Sequence, residues 1–116
     1  MQISEILPEM TNISIRARIL SIQIPQSVRS KSGRQLRVAE AILGDNSGRI
    51  PLTLWQNQIY KVKANQVVDL KDCYASQYMG ITKLTLGRNG TLEVIEDPSF
   101  PSIDELMQSL RDENQP

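Results

Sequence analysis

The stretch Gly44-Asp45-Asn46-Ser47-Gly48-Arg49-Ile50-Pro51-Leu52-Thr53-Leu54-Trp55 decides the class of the fold. Its first five residues are the small and polar types that favour tight turns, and the rest alternates. Ile50, Leu52 and Leu54 share one parity, so in an extended chain they face one side while Arg49, Thr53 and Trp55 face the other. Leu36 to Leu43 upstream reads as a strand, and the two make a hairpin across Gly44–Gly48. With the leucines inward, Trp55 is pushed to the surface, where a large aromatic needs a reason.

The same period of two extends outward from this hairpin. Ile13, Ile15, Ala17 and Ile19 alternate with Ser14, Arg16 and Arg18. After Ile19 the apolar parity slips to Leu20, Ile22 and Ile24, which predicts a β-bulge and a bent strand. Pro25 to Gln35, rich in Ser and carrying Arg29, Lys31 and Arg34, is expected to be a mobile loop. Gln56 to Ala64 reads as a short helix or irregular crossover. A fourth strand is expected from about Gln66 to Tyr78, with Tyr74 and Tyr78 four apart on one face. Met79-Gly80 makes a tight connection into Ile81–Leu86, and Gly87–Gly90 is expected to turn into a last strand, Thr91–Ile95. Five or six short strands with little helix imply an all-β barrel or sandwich. Near the end, Ser102 with Glu105 forms a capping box, and Ile103, Leu106, Met107 and Leu110 follow helical spacing. One amphipathic helix is predicted over Ile103–Leu110, its apolar stripe docked on the barrel or on a protein partner.

Composition narrows the chemistry. The 116 residues include no His and one Cys, so neither an intramolecular disulfide nor a Cys/His zinc site is expected. No cofactor, metal or membrane partner is expected, and a cytoplasmic location fits. Without His, and with no phosphate-cradling glycine loop, an enzyme is not expected. Cys73 reads as a small core residue. The formal charge is zero, from 13 basic and 13 acidic residues. That balance is a cancellation: residues 1–92 hold twelve Lys/Arg and six Asp/Glu, and residues 93–116 one and seven. A basic body carries an acidic tail, which suggests a polyanionic partner for the body and a tail that folds over the basic face to compete with it.

Gly44–Trp55 is similar to the signature G-D-x-S/T-G-R-I/V-x-L-T-L-W of the archaeal single-OB-fold single-stranded DNA-binding proteins, relatives of the DNA-binding domains of replication protein A. Asn65-Gln66-Val67-Val68 and Ile13–Leu20 also resemble that family, and the likeness spans about residues 3–96. It implies a five-stranded OB-fold barrel over residues 1–97, with a C-terminal helix in an acidic tail over 98–116. It also implies bases stacked on Trp55, Tyr74 and Tyr78, and phosphates held by Arg29, Lys31, Arg34 and Arg37. Arg18, Arg49 and Thr53 complete the expected nucleic-acid set. Stacking contributes about 1–3 kcal/mol per base, which three platforms and a few cations turn into affinity between about micromolar and tens of nanomolar. A site of roughly four to six nucleotides is expected. Single-stranded DNA is the expected ligand, in replication, recombination or repair. Single-stranded RNA is one alternative, because stacking does not read the 2′-hydroxyl. The other is an OB barrel serving as a protein-interaction subunit through Ile103–Leu110. Pro51, where a family strand donates a hydrogen bond, is expected to leave its strand bulged or unpaired.

Overall fold

The structure, a computed structural model, describes the backbone of residues 1–113 and the side chains of residues 1–108. Six strands form among the described residues: β1 (Ile13–Ile22), β2 (Gln26–Arg29), β3 (Gln35–Asp45), β4 (Gly48–Trp55), β5 (Val67–Tyr78) and β6 (Ile81–Ile95). They are followed by one helix, α1 (Ile103–Glu113). Five strands close a ring in the order β1-β5-β6-β4-β3, with β3 pairing back to β1. This is the barrel expected from the family resemblance, and β2 stands outside the ring as an arm on β3.

A bent first strand makes closure possible. The first half of β1 pairs with β5, Ile15 to Arg18 against Leu70 to Val67. Its second half pairs with β3, Ile19 against Leu43 and Ile22 against Ala41, with the register slipping between Ile19 and Ser21. The bulge thus lies where the apolar parity changes. The parity set does not continue as far as expected, for Ile24 lies beyond the strand and is 87% exposed. The barrel is sealed between β4 and β6 by two parallel pairs, Leu52 to Leu84 and Thr53 to Thr85. Inside, Ile13, Ile19, Leu43, Leu52, Leu54, Leu70 and Leu84 are fully buried.

Four local expectations change. Only part of Pro25–Gln35 is a loop: Gln26–Arg29 pairs with Gln35–Val38, and the turn between them closes by Ser30 N donating to Arg34 O and Gly33 N to Ser30 O. Gly33 takes φ +81°, a conformation open to glycine at little cost. Pro51 is paired with Ile42 in a β3–β4 ladder that runs without a shift. Antiparallel positions alternate between bonded and non-bonded pairs, so a proline whose nitrogen points away from β3 removes nothing from that ladder. Gly87–Gly90 does not separate two strands. Cys73 pairs with Leu86 and Lys71 with Thr91, so the four residues swell out of one continuous β6 opposite Asp72. Helix α1 is longer than expected, reaching Glu113, while its burial of Leu106 on its own barrel is one of the two dockings expected.

Candidate nucleic-acid interface

The outer surface of β3, β4, β6 and β5 is built by register. Antiparallel pairing sets Val38 beside Trp55 and Glu40 beside Thr53, and the parallel pair continues from Thr53 to Thr85. Thr85 then pairs with Tyr74, Ser76 with Lys83, and Tyr78 with Ile81. Tyr74 and Tyr78 point outward because of a bulge the sequence reading did not anticipate. In β5, Val68 and Leu70 face inward before it, Cys73 and Ala75 after it. Asp72, at φ +56°, is the inserted residue, and its insertion moves the inward set by one position. Tyr74 is 42% and Tyr78 64% exposed. Trp55 and Thr53 are half-buried. Strand geometry separates Tyr74 from Tyr78 by about 13 Å along β5.

Cations flank this row. Arg29 closes β2, Lys31 and Arg34 occupy the turn of the arm, and Arg37 is the third residue of β3, opposite Ser27; all four are exposed. Lys83, absent from the expected set, bonds Glu40 at 3.0 Å and lies 5.6 Å from the centre of the Tyr78 ring. Its outward position follows from its parity with Ile81 and Thr85, a signal available in the sequence. A groove of about 160 Å³ runs here, bordered by Gln26, Val38, Glu40, Thr53 and Lys83. Tyr60, 63% exposed, was also missed by strand parity because it lies in the 3-10 turn Gln56–Lys61; Arg37 stands 5.7 Å from its ring centre.

Arg18 and Arg49 are placed elsewhere. Arg18 donates to the carbonyls of Asn65, Phe100 and Pro101 and lies 5.8 Å from the Phe100 ring centre. Arg49 Nη2 donates to Leu106 O at 2.6 Å. On β5, Arg18 stands opposite Val67, seven residues from Tyr74. Both cations hold the C-terminal segment, and Arg16 joins them: it grips Asp69 with two nitrogens, at 2.6 and 2.9 Å, and Asp97 with a third, at 2.9 Å. Those bonds raise the Arg16 pKa and hold the Asp69 carboxyl below its ordinary value. Asp97 is lowered first by the Ser99 hydroxyl and then by Arg16. The capping box forms, with Ser102 Oγ accepting from Glu105 N at 3.1 Å and Glu105 Oε1 accepting from Ser102 N at 3.2 Å. Leu106 is fully buried, Met107 is 45% exposed, and the Leu110 side chain lies outside the described residues. The described tail therefore meets Arg18 and Arg49 and not the Trp55–Tyr78 row, while Arg16 stays exposed and is held by Asp69 and by Asp97 just before the tail.

The Gly44–Gly48 turn serves the scaffold. Asp45 Oδ1 accepts from the backbone of Ser47 and Gly48, at 2.7 and 3.1 Å, while Oδ2 accepts from Ile3 N at 2.9 Å. The turn thereby anchors the N-terminal segment, whose Ile3 and Ile6 join the core. Among the described residues no cluster of three or more His, Cys, Asp or Glu is placed to hold a metal ion, and no helix is long and apolar enough to cross a membrane.

Comparison with known proteins gives a consistent picture. The chain is 24% identical over 108 residues to the Single-stranded DNA binding protein Ssb of Saccharolobus solfataricus, covering 93% of this chain and 72% of that protein. It is 22% identical to Replication factor A of Methanothermobacter thermautotrophicus, over 90% of this chain but only 14% of the larger protein. Among solved structures, the replication factor A related protein from Methanobacterium thermoautotrophicum superposes with a TM-score of 0.69 at 22% identity, over 83% of this chain and 90% of that one. A replication protein A heterotrimer bound to single-stranded DNA contains a similar fold, TM-score 0.72 at 17% identity, over 88% of this chain and 26% of that one. The family described as single-stranded DNA binding protein Ssb-like, OB fold, matches residues 6–94, and the chain belongs to it.

Proposed function

We propose that this protein binds single-stranded DNA without catalysing a reaction, stacking bases on Trp55, Tyr74 and Tyr78. One observation carries the proposal: these three rings lie on the outer side of a single sheet surface that carries Lys83 at the level between the two tyrosines and meets Arg29, Lys31, Arg34 and Arg37 at the arm. Ring faces take any base, and the cations neutralise phosphates, so the surface suits an unpaired strand of any sequence. Residues 1–97 are the binding domain, and residues 98–116 its extension. The names of the relatives support service in replication, and recombination, repair and a cytoplasmic setting belong to the same proposal. Helix α1 spends Leu106 on its own barrel, which favours DNA binding over a helix-mediated interaction subunit.

Trp55 is the chain's single tryptophan, so its fluorescence reports the site directly. Oligo-dT should quench it at low salt. Trp55→Ala, followed by anisotropy of a labelled oligonucleotide, should weaken binding by about 5- to 150-fold, the equivalent of one stacked base. An unquenched protein with no anisotropy change at low salt would refute the proposal. Parallel titrations with RNA and duplex DNA define the preference.

A further inference from the structure

We infer that Tyr60, presented by Arg37, is a fourth base platform that extends the bound strand past Trp55 towards the arm. The inference rests on the proposed single-stranded DNA site and adds to it a residue that lies outside every strand. Order along β3 places it. Gln35 stands opposite Arg29 of the arm, Arg37 opposite Ser27, and Val38 opposite both Gln26 and Trp55. Along β3, Arg37 therefore lies between the level of Trp55 and that of the arm's cations, but on the Ala39 side of the strand while Trp55 is on the Val38 side, so the Tyr60 ring against it sits around the end of the barrel from Trp55.

The 3-10 turn that follows Trp55 holds this pair in place. Gln58 Oε1 accepts from Trp55 N at 2.9 Å, and Gln56 Oε1 accepts from Arg37 N at 2.9 Å, so the turn is tied to both strands of the hairpin. Ile59 is buried, with 6% exposure, as a plug at the barrel end, which leaves its neighbour Tyr60 facing solvent. Five residues of 3-10 rise put Tyr60 about 10 Å from Trp55, comparable to the spacing of the other platforms. An exposed tyrosine beside a guanidinium offers a ring for a base and a cation for the adjoining phosphate.

The test uses the full chain with oligo-dT of about four and about ten nucleotides, followed by Trp55 quenching. Tyr60→Ala should leave the short oligonucleotide's affinity unchanged and weaken the long one about five-fold or more. Tyr60→Phe should restore it, and thermal unfolding should be unaltered in both. Wild-type affinity of Tyr60→Ala for the long strand overturns the inference while leaving the Trp55 site intact. Equal losses at both lengths also overturn it, since they place the effect at Trp55. If the unsubstituted chain binds neither oligonucleotide, the proposed function fails first and this inference with it.

Discussion

Glu40 is the residue that most limits the proposed interface. It is a carboxylate in the middle of a surface proposed to meet phosphates, and it holds Lys83 at 3.0 Å. Removing its charge frees Lys83 and takes away a repulsion, while the amide keeps the shape. Glu40→Gln should tighten single-stranded DNA binding a few-fold at low salt and steepen its salt dependence, measured by anisotropy titration. Cys73 shows the opposite logic, chemistry suppressed by position. Burial, aided by the Asp72 carboxylate, pushes its thiol up to about 11. Its reaction with a disulfide reagent at pH 8 should wait for unfolding, and rise sharply in denaturant.

At the scale of elements, the paired bulges of β5 and β6 aim Tyr74. A Cβ at Gly87 would lie 2.5 Å from the Asp72 carbonyl oxygen, a clash with backbone that no side-chain rotation relieves. Gly87→Ala should cost about 1–3 kcal/mol, read as a lowered urea midpoint, and should weaken DNA binding by shifting Tyr74. The other decisive element is the C-terminal segment held through Arg16. Asp69 and Asp97 both titrate below their ordinary 3.8 when folded. Their contribution is complete above that value and is lost as pH falls through the lower folded values. Amide exchange at Ser99 and Phe100 should accelerate below about pH 4, before the barrel opens, and salt should reduce the difference because Arg16 is exposed and its two carboxylates are only partly buried.

For the whole molecule, the zero net charge is a division of labour. The tail occupies Arg18 and Arg49, and Asp97 just before it holds Arg16, while Arg29, Lys31, Arg34 and Arg37 stand exposed at the arm. Three or four phosphate contacts should give a slope of log K against log salt of about −2 to −3. A slope near zero would mean that stacking acts alone. The described part of the tail, as far as Gln108, meets Arg18 and Arg49, a basic patch separate from the proposed binding face.

Much of this was legible in the chain. Alternation decided which side chains enter the core, because a two-residue period has only one apolar face to bury. It put Ile50, Leu52 and Leu54 inside, Trp55 outside, and located the β1 bulge at the slip after Ile19. The Ser102–Glu105 box marked the start of α1 for a similarly local reason. What only tertiary structure decided depends on partners distant in sequence. Asp72 becomes a bulge because four residues of β6 swell opposite it, Pro25–Gln35 becomes an arm because β3 offers it an edge, and Arg18 and Arg49 find carbonyls some eighty and fifty-seven residues away. Tyr60 belongs to this second group. Its exposure follows from Ile59 filling the barrel end, a consequence of closure that no local period records.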